Sequence, residues 1–371
     1  MRVIMAGGGT GGHIYPALTI AKEIMRRRPD TEILFIGGKR GLEAEIIPKE
    51  GFRLITLNLE GIPRRISLKV FRSMGLAARG VWQTFQIVKE FRPDLVVGTG
   101  GYVCGPVVLA AALMRIPNAI QEQNAFPGLT NRTLGRFVDR IFLAYPEAGR
   151  FFRKSKIRVC GNPIRSAEFA GVVRAKAENA LGLAPNHTNL FVFGGSQSAR
   201  KINQTLLVII SDLLREFSKL QIVMMTGLKE HQSVEQQVAK MKLSPELRNR
   251  LFLVAYFYKI ADAYKASDLV LARAGAISLA EITCFGLPAL LIPFPFATNN
   301  HQEFNARVLE KHGAAKVLLE AELSPENLKL ALTELLQNEN NRRAMARASL
   351  AMSRPQAAED IVTELLKLAK S

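Results

Sequence analysis

The residues best placed to do chemistry begin at position 7. Gly7-Gly8-Gly9-Thr10-Gly11-Gly12 follows the short apolar run Val3–Ala6 and leads into a helical pattern over Pro16–Arg28. A glycine-rich turn between strand and helix lets the backbone approach an anion, and the helix start adds N–H groups and a positive dipole end. His13 stands at this turn, where an imidazole can act as a general base near neutral pH or simply hold the loop by a hydrogen bond. The spacing departs from the common nucleotide fingerprints. No Gly-Lys-Ser/Thr follows, and the second strand pattern ends Ile36-Gly37-Gly38-Lys39-Arg40 without the acid a dinucleotide site requires. A second polar group, Gln121-Glu122-Gln123-Asn124, closes another strand pattern and precedes Pro127-Gly128 and Asn131. Turn and cap roles account for Asn124 and Asn131 but not for Glu122 and Gln123. Glu122 is thus the second candidate base after His13.

The other half repeats the theme. Phe191-Val192-Phe193 runs into Gly194-Gly195-Ser196-Gln197-Ser198, and Arg273-Ala274-Gly275 opens a helix through Ala276, Ile277, Ser278, Leu279 and Ala280 to Glu281. The turn can present N–H groups to phosphate, and Glu281 can accept both hydroxyls of a ribose. In Pro293–Asn305, His301, Gln302 and Asn305 are candidates for bonding a sugar. Taken singly, each is explained as well by a loop or cap; their joint placement at strand ends in both halves favours binding. No Asp-x-Asp pair or His/Asp cluster appears, so neither metal nor cofactor is expected, and Arg165 with backbone amides would meet the phosphates. Cys104, Cys160 and Cys284 lack any ligand spacing and fit a reducing compartment.

Parallel sheets covered by helices on both faces would position these groups. Thirteen short β-branched runs alternate with helical patterns, and a glycine turn follows the first strand of each half. The fold class is α/β, with two Rossmann-like doubly wound domains facing a cleft. The expected boundaries are 1–163 and 164–354, with a C-terminal helix over 355–371 returning to the first domain. Ligands in such folds bind beyond the carboxyl ends of the strands.

The 371-residue chain carries 50 Lys and Arg against 32 Asp and Glu, a net +18. Residues 1–165 hold 26 of the basic and 12 of the acidic residues, so the excess sits mainly in the first half. It points to an anionic partner. Arg64–Arg92 contains seven basic residues and one acid, with Leu68, Phe71, Ala78, Trp82 and Phe85 at helical spacing. This is either a core helix with a solvated basic face or an interfacial patch, apolar groups dipping into lipid and Arg64, Arg65, Lys69 and Arg72 meeting anionic headgroups. No apolar run reaches the length of a spanning helix, and the start lacks a signal peptide, so a soluble or peripheral protein is expected. The basic charge also permits a non-catalytic RNA- or membrane-binding protein, but no aromatic RNA-recognition signature occurs, and nucleic acid is not an expected partner.

Seven segments together resemble the MurG family of bacterial peptidoglycan synthesis: GGGTGGHIYPAL (7–18), GGYVCGPVVLAA (100–111), QEQNAFPGLTN (121–131), GNPIR (161–165), FGGSQSARKIN (193–203), RAGAISLAEI (273–282) and PFPFATNNHQEFNA (293–306). They keep the family's order and span nearly the whole chain. The resemblance implies a GT-B glycosyltransferase that moves N-acetylglucosamine from UDP-GlcNAc to the muramyl 4-hydroxyl of lipid I, with inversion, giving lipid II and UDP. It places Thr10, Gly11, Gly12, Asn124, Arg165, Ser196, Ala276 to Glu281 and Gln302 on the donor, Phe257 near the uracil, and Asn131 with the basic segment on the acceptor side. Where the family often has His before Glu-Gln-Asn, this chain has Gln121. UDP-GlcNAc, lipid I, an anionic membrane surface and cell-wall synthesis proteins are the implied partners, at the cytoplasmic face of the plasma membrane. A UDP-GlcNAc 2-epimerase of similar fold is the alternative; the basic first half and the Gln121–Asn124 segment argue against it.

Overall fold

The computed structural model describes residues 1–39, 41–58, 68–194 and 200–370, with all of their side chains except those of 68–78 and 167. The chain forms two compact units, Met1–Ile164 with Arg354–Ser371, and Arg165–Ser353.

In the first unit seven strands form one parallel sheet: β1 (Arg2–Gly7), β2 (Glu32–Gly38), β3 (Arg53–Leu57), β4 (Leu95–Gly100), β5 (Asn118–Glu122), β6 (Arg140–Leu143) and β7 (Ile157–Val159), in the order β3-β2-β1-β4-β5-β6-β7. The second unit repeats this plan with β8 (Thr188–Phe193), β9 (Leu220–Met225), β10 (Leu251–Val254), β11 (Leu269–Ala272), β12 (Ala289–Leu291) and β13 (Ala315–Val317), ordered β10-β9-β8-β11-β12-β13. Each strand falls on one of the apolar runs of the sequence. β4, β5, β9 and β11 are buried throughout because helices cover both faces, whereas the edge strand β7 carries Arg158 and is partly exposed. In β1, Val3 and Met5 enter one core cluster while Ile4 and Ala6 enter the other, and all four are fully buried.

The order reverses at β1/β4 and at β8/β11, which opens a crevice at the carboxyl end of each sheet. The β1–β4 register shifts between Ala6 and Gly7, so that Gly7 faces Gly100. The Ala357–Leu368 helix closes the first unit. It buries Ile361, Val362 and Leu365 with Ile14, Ala17 and Ile24 of the Gly11–Arg27 helix. Arg27 fastens the contact, donating to Thr363 Oγ1 at 2.7 Å and to the Glu359 carbonyl at 3.1 Å.

Candidate active site

In the first unit the glycine turn folds back on its own helix. Thr10 occupies the N-cap position of the Gly11–Arg27 helix, and His13 Nδ1 lies 3.0 Å from the Gly8 carbonyl and 3.4 Å from Thr10 Oγ1. A carbonyl can only accept, so Nδ1 is the donor, and in the neutral form of the ring Nε2 is the basic nitrogen. Thr99, at the end of β4, donates to the His13 carbonyl at 2.8 Å, and Gly7 must lack a side chain because its Cβ would lie 2.1 Å from the Thr99 hydroxyl. Gly100 (φ +106°) is equally constrained: a Cβ there would lie 3.1 Å from His13 Nε2 and 3.7 Å from Asn131 Nδ2. The fold thus brings His13 and Asn131, separate in sequence, to one corner at the carboxyl ends of β1 and β4.

Glu122 organises the neighbouring loop. Its Oε1 accepts from the Asn124 N–H (3.0 Å) and Nδ2 (3.1 Å), and its Oε2 from the Gly128 N–H (3.1 Å) and Asn131 Nδ2 (2.9 Å). Burial pushes its carboxyl above the ordinary range, against the pull of these four donors. This corrects the expectation of Glu122 as a base. The side chain is buried and both oxygens are engaged by its own loop, so its work is to shape the segment that carries Asn124 and Asn131. Gln121 also turns inward, donating to Asn162 Oδ1 at 3.1 Å, while Gln123 donates to the Thr99 carbonyl at 2.7 Å.

Sequence reasoning missed Glu43. Wholly buried, it accepts from Gly9 N–H at 2.9 Å and from Gly38 N–H at 2.8 Å. The anion held by the first glycine turn at Gly9 is therefore internal. The available signal was the glycines at 37, 38 and 41 around the acid, not a catalytic motif.

In the second unit the helix Ala276–Cys284 starts after β11 with Gly275 at its N-cap and no side-chain cap, so its opening N–H groups face the crevice end of the sheet. Ile277, Ser278 and Ala280 are partly exposed, whereas Leu279 is fully buried and offers only backbone. Glu281 accepts from Tyr264 Oη at 3.0 Å; burial pushes its carboxyl up to about 7, against the Tyr264 bond and the Arg165 charge. Arg165 starts the Ser166–Phe169 helix and pairs with Glu168 at 3.3 Å. Gln302 Oε1 accepts from Ala274 N–H (3.2 Å) and Phe294 N–H (3.0 Å), which commits the oxygen to the turns and leaves the amide nitrogen to serve as donor. Arg273, nearly buried, pairs with Glu320 and donates to the Ile292 carbonyl at 3.1 Å, tying together the ends of β11, β12 and β13. Phe257 packs edge-on against Phe191 with ring centroids 5.9 Å apart.

Ser196, Arg64 and Arg65 lie outside the described residues, as do the side chains of Lys69, Phe71 and Arg72. Along the Leu68–Phe91 helix, Trp82 is 62% exposed and Phe85 half-buried, while Thr84 and Val88 are buried. Among the described residues no helix is long and apolar enough to cross a membrane, and no group of three or more His, Cys, Asp or Glu is placed to hold a metal ion.

Two parallel sheets of Rossmann order in one chain are the architecture of the GT-B glycosyltransferase class. Residues 3–143 match the glycosyltransferase family 28 N-terminal domain and residues 189–361 its C-terminal domain. The UDP-N-acetylglucosamine–N-acetylmuramyl-(pentapeptide) pyrophosphoryl-undecaprenol N-acetylglucosamine transferase of Desulforamulus reducens is 43% identical over 98% of this chain and 97% of its own length. The crystal structure of Acinetobacter baumannii MurG superposes with a TM-score of 0.79 at 26% identity, covering 99% of both chains. The UDP-GlcNAc 2-epimerase of Neisseria meningitidis bound to UDP-GlcNAc superposes at 0.68 with 15% identity, over 99% of this chain and 100% of its own, a likeness of fold alone. The chain belongs to the MurG family.

Proposed function

We propose that the protein transfers N-acetylglucosamine from UDP-GlcNAc to the muramyl 4-hydroxyl of lipid I, giving lipid II and UDP. The observation that carries this is the chain-long 43% identity to a transferase so named. The reaction inverts the anomeric centre, so a base must take the hydroxyl proton as that oxygen attacks. His13 fits: Nδ1–H is held by the Gly8 carbonyl, and Nε2 is the nitrogen that receives the proton. Charge building on the UDP leaving group meets Arg165 and the opening N–H groups of the Ala276–Cys284 helix, an electrostatic arrangement that needs neither metal nor cofactor. Glu281 takes the ribose hydroxyls, Phe257 lies by the uracil, and Ser196, Gln302, Asn124 and Thr10 to Gly12 complete the donor contacts.

The acceptor's pyrophosphate and lipid draw the first unit to an anionic membrane surface through Arg79, Trp82 and Phe85 and the basic segment before them. In this reading the protein works peripherally on the cytoplasmic face of the plasma membrane, alongside cell-wall synthesis proteins.

Radiolabelled UDP-GlcNAc incubated with a lipid I analogue tests the reading by the yield of lipid-linked product. His13→Gln should lower the maximal rate by about 10²–10⁴-fold, the usual worth of a general base. A rate within a few-fold of wild type would remove His13 from the mechanism. Formation of UDP-N-acetylmannosamine without acceptor would replace the transferase by an epimerase.

A further inference from the structure

Glu43 has no part in the reaction as set out above, yet the fold makes unusual room for it. A Cβ at Gly8 would lie 2.2 Å from its Oε1, one at Gly37 2.6 Å from its Cγ, and one at Gly41 1.9 Å from its Oε2. Both of its oxygens accept, Oε2 from the Gly9 N–H and Oε1 from the Gly38 N–H. The Gly9 N–H and the Gly8 carbonyl belong to one peptide unit. There are no cis peptide bonds among the described residues, so the two groups point in opposite directions. On one side the N–H meets Glu43 Oε2 at 2.9 Å; on the other the carbonyl meets His13 Nδ1 at 3.0 Å.

We propose that Glu43 is a positioning residue for His13, acting through the Gly8–Gly9 peptide. Carboxylate, peptide and imidazole form one hydrogen-bonded series, and Gly8 at its centre is buried. The series resembles the pairing of a carboxylate with a base histidine, with a peptide unit inserted between them. The negative charge polarises the peptide, makes the Gly8 carbonyl a stronger acceptor for Nδ1–H, and favours the imidazolium that forms when Nε2 takes a proton. Among the described residues other ionisable groups face this corner, the buried Cys104 thiol bonded to the Gly100 backbone among them. Tyr102 lies against Gly9 and Gly38, its hydroxyl pushed up by burial and by the Glu43 charge, and Glu122 reaches the corner through Asn131.

The inference rests on His13 being the base. Its test combines the pH profile of kcat/KM for transfer to a lipid I analogue with ¹⁵N-imidazole NMR of the full-length protein. In Glu43→Gln the acidic limb of the profile and the His13 titration should both move down, because a full charge one peptide away is worth roughly one pH unit at an effective dielectric near 20. Glu43→Asp, which keeps the charge at shorter reach, should lower the rate while leaving the limb nearer its wild-type place. A Glu43→Gln protein with lower activity but an unmoved limb and unmoved His13 titration would reduce Glu43 to a structural role and overturn the proposal. The wild-type spectrum decides even if Glu43→Gln fails to fold: the proton must reside on Nδ1, and a neutral ring protonated at Nε2 would sink the series. Failure of the base assignment is separate, since it would show as undiminished transfer in His13→Gln, whereas the NMR titration reads the series without turnover.

Discussion

Replacing Glu281 by Gln should stabilise the protein, and by an amount that depends on pH. The carboxyl is 8% exposed and is pushed from the ordinary 4.5 up to about 7, chiefly by burial. The folded chain therefore keeps a proton that the unfolded chain releases, and stability falls as pH rises from about 4.5 to about 7. At 1.36 kcal/mol per decade the cost is about 1 kcal/mol at pH 5 and about 3 kcal/mol at pH 8. Gln keeps an acceptor for Tyr264 and carries no charge to bury. Calorimetry should find the variant's gain in Tm larger at pH 8 than at pH 5 by roughly 5–10 °C, from about 2–4 °C per kcal/mol for a unit of this size. An equal gain at both pH values would refute the burial argument. The ribose assignment makes a companion prediction with the opposite sign. The ionised carboxylate is the better acceptor for two hydroxyls, so uridine, which has no phosphate to titrate, should bind more tightly as pH rises through about 7, and the Gln variant should lose that slope. Parallel pH profiles would remove Glu281 from the ribose.

Gly101→Ala forces a side chain at φ +83° with its Cβ 2.4 Å from the Gly8 carbonyl oxygen. It should cost about 1–3 kcal/mol or more and displace the turn that holds His13, seen as a lower Tm together with a lower transfer rate; an unchanged Tm would show that the turn yields freely. Arg273→Met strands the nearly buried Glu320 and should cost about 3–5 kcal/mol in urea unfolding, with Glu320→Gln added to it recovering part of the loss. A double variant no more stable than the single would rule out the unpaired charge as the cause. Trp82→Ser with Phe85→Ser should weaken sedimentation with anionic vesicles more than it lowers Tm, because Trp82 is 62% exposed; unchanged vesicle binding would move the membrane contact elsewhere.

The sheets were legible because doubly covered parallel strands leave continuous apolar runs between glycine and proline breaks, as at Val3–Ala6 and Leu269–Ala272. The place of His13 was legible, because its position after Gly12 puts it in the first turn of the helix, beside the glycine turn. The site was not legible where a polar side chain is consumed internally. Glu122 and an exposed carboxylate base look alike in sequence, and only the four donors around Glu122 distinguish them. Gln302 shows half of this: its oxygen serves two backbone N–H groups, which the sequence does not show. Glu43 carries no catalytic motif, only the glycines around it at 37, 38 and 41, because its partners, Gly9 and Gly38, belong to two different strand ends.

The return of the Ala357–Leu368 helix to the Gly11–Arg27 helix sets an order of assembly on the ribosome. The first unit's sheet is complete in sequence by Val159, but the apolar groove that takes Ile361, Val362 and Leu365 must wait for about 200 further residues. At synthesis rates of about 5–20 residues per second, that groove stays open for roughly 10–40 s while the second unit emerges. A nascent chain of this protein therefore presents a sticky surface in mid-synthesis. Truncation within the last twenty residues should impair the unit that is made first, leaving the one made second intact.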